Sequence, residues 1–507
     1  MRILFIYPNI DAQIGFNYGV ASLSAVLKQK GHETGLINLN EQLAPIPSDE
    51  ELLGQIADFK PDLVAFSCVT TQFDHAQRIA TLVKEKLGIR TIAGGVHPTM
   101  VPAEVLRTAV FDFACLGEAE EAFPELLDRM EKGADTTSVP NIWAAKEFSI
   151  YTNKVRQFPD ITGLPQKDYS IFDFQKMIDA KDGWVGMLAG RGCPFQCTYC
   201  FNHQIVERYR HDTGLSASKL NYIRRHPVDE VVAEMKFLVD NYERIKMFIF
   251  DDDVFTLDKN YTLDFCEKYR LAGIGVPFVV NAHVKLFDDE IAAALAGAGC
   301  RIVKVGLESG SPRVRREVLH RYMSNDSIAQ VFETCRRHGI HSSAFLMLGL
   351  PTETIDELLE TVNLLGTSLP GRFRWSVFYP FPGTKAYDIA KKSGALNKKK
   401  MSELHNFFTD TCLDFSIKQN LLIDKLNAAL PWYVNAASSL PGADIYKKIT
   451  GRLNKLSKPE WEDEKKKIPS FDKEFSKEAL RRGLRHYAIK YNRFMGVDSD
   501  YFTREDA

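Results

Sequence analysis

Short apolar runs separated by amphipathic stretches set the rhythm of the first 140 residues. RILFIY (2–7), LINLN (36–40), DLVAFSCV (62–69) and RTIAGG (90–95) read as strands. VASLSAVLKQKGHE (20–33) and HAQRIATLVKEKLG (75–88) read as helices between them, and FDFACLGEAEEAFPELLDRM (111–130) gives one more strand, turn and helix. Strands alternating with helices imply parallel pairing through right-handed crossovers. The pattern predicts a doubly wound, Rossmann-like (flavodoxin-like) α/β domain over 1–140, with its ligand site beyond the carboxyl ends of the strands.

The rhythm fades over 141–183, where FPDITGLPQKDYS (158–170) is rich in turn residues and reads as linker. A second series follows over 184–390: GWVGMLAG (183–190), IKMFIFD (245–251), PFVVNA (277–282), RIVKVGLE (301–308), SAFLMLGL (343–350) and RWSVFY (374–379). Six strand–helix units are too few for an eight-fold barrel and predict a partial (β/α)6 barrel. Residues 391–507 turn Lys-rich with helical spacing, predicting a mostly helical C-terminal domain.

Composition narrows the classes. With 64 Lys and Arg against 66 Asp and Glu, the formal charge is −2, without the basic excess of a chain that neutralises many phosphates, so nucleic acid is not an expected partner. No apolar run reaches the roughly 18 residues of a spanning helix. No cleavage site follows the first apolar run, so a cytoplasmic location is expected.

Six of the nine cysteines are scattered singly; Cys193, Cys197 and Cys200 are packed into GRGCPFQCTYCFNH directly after the first barrel strand. A C-x3-C-x2-C loop brings three soft thiolates together. A structural zinc wants four closed ligands, for which His203 is the only neighbour in the loop. Three thiolates suit an iron–sulfur cube with one iron left open.

This loop, at the end of a first barrel strand and with Tyr199 between its last two cysteines, closely resembles the radical SAM superfamily. The resemblance implies a [4Fe–4S] cluster on Cys193, Cys197 and Cys200 whose open iron chelates S-adenosylmethionine (SAM) for cleavage to a 5′-deoxyadenosyl radical. It also implies SAM contacts from Tyr199, from Asp251 and Asp252 in FIFDDDVF, from Glu308, Ser309 and Arg321 in GLESGSPRVRREVLHRYMS, and from Gly349 in MLGLPTET. His283 stands where related sequences often carry Arg; it either faces substrate or caps a strand.

The first domain lacks the G-x-G-x-x-G dinucleotide fingerprint. Its strand ends, SCVTTQ, AGGVHP and LGEAEE, resemble those of cobalamin-binding domains, implying contacts from Ser67, Thr70, Gly94, Gly95, His97, Gly117 and Glu118. The D-x-H-x-x-G motif that supplies a lower cobalt ligand is absent. Together the modules resemble the cobalamin-dependent (class B) radical SAM enzymes. That implies a methyltransferase passing methyl from methylcobalamin to an unactivated carbon or phosphorus of a small-molecule or lipid substrate. It further implies a flavodoxin- or ferredoxin-type electron donor. Competing readings are a non-methylating cyclisation or rearrangement, a tRNA methylthiotransferase (which lacks a second cysteine cluster here), and a noncatalytic cobalamin-binding sensor. For a lipid substrate, LPWYVNAASSLPG (430–442) is a candidate membrane-surface segment; otherwise it is a buried helix–loop.

Overall fold

The structure, a computed structural model, describes residues 1–404 and 407–502. It divides into two compact units, Met1–Phe195 with Cys200–Asp253, and Gln196–Tyr199 with the residues from Val254 onward.

In the first unit, β1 (Arg2–Pro8), β2 (Glu33–Leu39), β3 (Leu63–Ser67), β4 (Arg90–Gly94) and β5 (Phe113–Cys115) pair in parallel in the order β2-β1-β3-β4-β5. Ile3, Leu4, Phe5 and Ile6 are successively buried to 3% exposure or less, as expected of a parallel sheet covered on both faces. The chain reverses its strand order between β1 and β3, which leaves a crevice beyond the strand ends. Helix Asp49–Phe59 opens on a capping box in which Ser48 Oγ accepts the Glu51 N–H and the Glu51 carboxylate accepts the Ser48 N–H.

The stretch expected as linker is in part sheet. β6 (Ile142–Lys146) and β7 (Ser149–Tyr151) extend β5 antiparallel, and Phe174–Ala180 is a helix. β7 is exposed along its length, so no apolar alternation betrays it. Beyond lie β8 (Trp184–Met187), β9 (Gly190–Arg191), β10 (Arg224–Arg225) and β11 (Met247–Phe250); β8 pairs with β11 in parallel and β9 with β10 antiparallel.

In the second unit, β12 (Phe278–Ala282), β13 (Cys300–Glu308), β14 (His341–Leu348) and β15 (Arg372–Val377) form a parallel sheet in chain order. All six strands expected of the second series are therefore present, two in one unit and four in the other. The C-terminal region is mostly helical, as expected, but adds a hairpin of β16 (Tyr487–Ile489) and β17 (Met495–Asp498) antiparallel to β15. Strands of three and four residues are too short for a period to show in sequence.

Helix Ile417–Ala437 carries Pro431 and leaves helical geometry at Ala429 (φ −137°), near the point where proline removes a backbone donor. The candidate membrane segment starts in this helix and is buried: Leu430, Trp432, Tyr433 and Val434 are at most 5% exposed, and the Trp432 indole N–H donates to Asp472 at 2.8 Å. A side chain committed to the protein core cannot rest on a bilayer. Among the described residues no helix is long and apolar enough to cross a membrane.

Candidate functional site

Two adjoining cavities lie in the first unit, of about 330 and 320 Å³. The first sits over the carboxyl ends of the parallel strands and is lined by Ser67, Gly94, Gly95, Gly117 and Glu118. The second shares Gly95, Gly117 and Glu118, and reaches Gly192, Phe201, Asn202 and Asp253 on either side of the cysteine loop.

Glycine is required at two of these turns. Gly95 has φ +102°, and a Cβ there would stand 2.7 Å from the Cys68 carbonyl oxygen; Gly117 has φ +71°, with the Tyr209 hydroxyl at 2.1 Å from a Cβ. Gly95→Ala combines left-handed strain with a backbone clash, a cost of about 2–4 kcal/mol. The expected result is a lowered thermal midpoint and at least about a tenfold loss of cobalamin affinity, read by equilibrium titration. Wild-type affinity in the variant would refute the cradle.

Of the other residues expected here, Ser67 Oγ accepts from Asn17, which also caps helix Tyr18–Gln29. Glu118 lines both cavities, but its carboxylate is held by Arg224 (2.5 and 2.7 Å) and Arg191 (3.1 Å). Thr70 and His97 line neither cavity: His97 Nδ1 lies 3.3 Å from Thr70 Oγ1, and its ring packs against Phe73 at 4.2 Å between centroids, tilted by 32°. Burial pulls the His97 pKa down to about 4, so the ring is neutral.

The acidic triplet after β11 is divided. Asp251 accepts from the Tyr18 hydroxyl (2.6 Å), a bond that passes over Gly186, where a Cβ would meet both groups. Asp252 is buried and accepts the Ala189 N–H at 2.9 Å; burial lifts its pKa to about 6. Asp253 lines the second cavity. Tyr222 lines it too, its hydroxyl pKa driven far up by burial and by Asp253, Cys200 and Cys193. Asp251 lines this cavity as well as Asp253, and Asp253 is not among the SAM contacts that the resemblance implies.

The loop's middle belongs to the second unit. Thr198 donates its N–H to Leu319 O and its hydroxyl to Val318 O, and accepts the Ala386 N–H. This holds Cys197, 6% exposed, with its sulfur 3.5 Å from Arg321 Nη1. Arg321 also donates to Gly306 O (2.7 Å) and the Tyr199 hydroxyl (3.3 Å), and Tyr199 donates to Glu308 at 2.9 Å. Glu308 ends β13 at φ +66°, a strained backbone for a residue with a side chain, and burial raises its carboxyl pKa. Tyr199, Glu308 and Arg321 are thereby brought together against Cys197.

Ser309 and Gly349 meet around a different carboxyl. Glu353 accepts the Gly349 and Leu350 N–H groups (3.0 Å each) and lies 3.5 Å from Ser309 Oγ, all buried. His283 accepts the Lys285 N–H and so caps the short turn Val284–Leu286.

Burial pushes the Glu353 carboxyl up to about 8. Its folded pKa therefore exceeds the unfolded value of about 4.3, so the folded state disfavours ionisation. The linked stability is complete below pH 4.3 or so and is lost as pH climbs toward 8. Glu353→Gln keeps an acceptor oxygen and should flatten this decline in thermal unfolding between about pH 5 and 8. An unchanged slope would show that another group carries it.

Two thiols that are partly exposed and a third buried beside a guanidinium suit a thiolate-ligated cluster. Among the described residues no three metal-binding side chains form a ready-made cage.

Residues 12–127 match the B12 binding domain family and residues 187–365 the radical SAM superfamily. The chain belongs to the cobalamin-dependent radical SAM enzymes. Its cofactors are cobalamin, SAM and a [4Fe–4S] cluster. An uncharacterised methyltransferase of Pyrococcus horikoshii is 26% identical over 406 residues, 77% of this chain and 83% of that protein. The anaerobic magnesium-protoporphyrin IX monomethyl ester cyclase of Rubrivivax gelatinosus is 26% identical over 445 residues, 84% of this chain and 76% of that protein. Among solved structures, the radical SAM methyltransferase TsrM of Kitasatospora setae shares the fold of this cobalamin-dependent radical SAM enzyme at TM-score 0.63 and 18% identity, covering 78% of this chain and 77% of that one. The cobalamin-dependent radical enzyme OxsB does so at TM-score 0.65 and 13% identity, over 89% and 71% of the two chains.

Proposed function

We propose that this radical SAM enzyme is a methyltransferase acting on an unactivated carbon or phosphorus of a small-molecule substrate. The supporting observation is the shared lining of the two cavities: the glycine turns of the cobalamin domain and the residues flanking Cys193 and Cys200 border the same space. Cobalamin held there would supply the methyl group, and SAM at the cluster the radical that removes a substrate hydrogen. An unactivated C–H is beyond any tuned side-chain base, so the protein's part is to hold, orient and keep water out.

In this reading Gly94, Gly95 and Gly117 admit the macrocycle and its tail, and Cys193, Cys197 and Cys200 hold the cluster. Arg321, neutralised in part by Glu308, supplies positive charge beside the Cys197 sulfur and a fork for a carboxylate. The electron comes from a flavodoxin- or ferredoxin-type donor. Oxygen-free reconstituted protein given SAM and a strong reductant should form 5′-deoxyadenosine and carry label from SAM's methyl group into cobalamin. Deoxyadenosine without methylated cobalamin would favour a non-methylating cyclisation or rearrangement; the Rubrivivax relative is named a cyclase. Neither product would favour a sensor.

A further inference from the structure

β15 presents its residues alternately to two faces. Phe373, Trp375 and Val377 are at most 1% exposed, and the Trp375 indole donates to Asn427 in helix Ile417–Ala437, so that face is turned to the helical layer. Arg372, Arg374 and Ser376 stand on the opposite face. Parallel register aligns Arg374 with Phe345 and Phe345 with Gly306; the next row down aligns Arg372, Ser343 and Lys304. Gly306 is the residue that Arg321 and Glu308 crowd. The two β15 arginines therefore share a face with the SAM-directed group, two strand spacings or about 10 Å away.

Among the described residues, neither guanidinium has a carboxylate partner or a hydrogen-bond acceptor. Arg372 Nε is buried without a hydrogen-bond partner, and the Arg374 guanidinium lies 5.7 Å from the centroid of the Phe408 ring. Arg374, Tyr491 and the His341 ring lie near Arg372; burial and Arg374 together lower its pKa to about 10. Two half-buried cations side by side repel each other and lose hydration. Folded proteins normally meet that cost with carboxylates, as Arg313 does with Glu357 in this unit. Phe345 and Met347, also half-buried on this face, supply an apolar surface beside the arginines.

We infer that Arg372 and Arg374 clamp an oxyanion of the substrate, which is a small organic anion bearing a carboxylate or phosphate-type group on an apolar body. The inference rests on the proposed enzymatic reading and names the substrate class for it. A planar guanidinium fork matches either oxyanion through paired hydrogen bonds. Phe345 and Met347 would pack the apolar body.

The test is calorimetric titration of the full-length reconstituted enzyme with phenyl phosphate, with benzoate and with uncharged benzyl alcohol. At least one anion should bind, more weakly as salt rises, and the alcohol should not. The preferred anion tells phosphate from carboxylate. Arg374→Met and Arg372→Met should each weaken anion binding by about tenfold or more. Arg301→Met, at an exposed position of β13, should leave it unchanged. Ligand-free Arg374→Met should melt no lower than wild type, because an uncompensated charge is removed; a purely structural arginine would lower the midpoint. Equal anion binding by wild type and the double variant overturns the clamp. So does no anion binding by a protein that still forms 5′-deoxyadenosine, and in that case the enzyme class stands. Anion binding by a protein that never cleaves SAM supports the clamp and refutes the class.

Discussion

Replacing Cys197 with Ala should abolish the cluster's visible absorption after anaerobic reconstitution and reduce 5′-deoxyadenosine to background. Three protein thiolates leave no spare ligand, and the other six cysteines are dispersed along the chain. Cobalamin binding should persist, because both glycine-lined cavities lie in the first unit whereas Cys197 belongs to the second. Absorption and iron content should therefore fall while the cobalamin spectrum of the purified protein stays. A variant that retained a full cluster would show that another residue substitutes, and the three-thiolate assignment would fail.

Arg321→Met is expected to produce the second largest loss. Arg321 is 9% exposed, and its guanidinium meets Gly306 O, the Tyr199 hydroxyl, the Cys197 sulfur and, at 3.9 Å, Glu308. Removing one partner of a buried pair strands the other, costing about 3–5 kcal/mol. SAM cleavage should fall by about 10- to 100-fold, the usual penalty for losing support just outside the ligands. Glu308→Gln isolates the cause: in the double variant the stability loss should be smaller than the sum of the single losses, because neither charge is then stranded. Additive losses would mean the pair is not coupled and that Arg321 acts only through SAM.

Much of this architecture is written locally. An apolar run such as RILFIY suits a parallel sheet covered on both faces, and its Ile3–Ile6 core is buried throughout. RIVKVGLE lies in a parallel strand too, with Arg301 and Lys304 more exposed. The cysteine spacing and the glycines at 95 and 117 were legible because each is a local backbone demand: a tight loop, or a left-handed φ with no room for a Cβ. The β6–β7 and β16–β17 strands were not legible, being three to five residues long and lying toward sheet edges.

Roles within the site depended on partners far along the chain. Tyr18 meets Asp251 across 233 residues, Arg224 meets Glu118 across 106, and Arg321 meets Cys197 across 124. Identical aspartates in a row carry no mark of which one supports a backbone N–H and which faces a cavity; burial and neighbours assign Asp252 to the first role and Asp251 and Asp253 to the second. Arg372 and Arg374 read in sequence as ordinary strand cations, and only the packing of Phe373 and Trp375 against the helices turns them to the inner face. Sequence alone determined the longer secondary elements, the three-cysteine loop and the glycine turns, because short-range sterics and periodicity act within a few residues. Tertiary structure decided which charges are paired and which are left over, because electrostatic partners are chosen by distance in space.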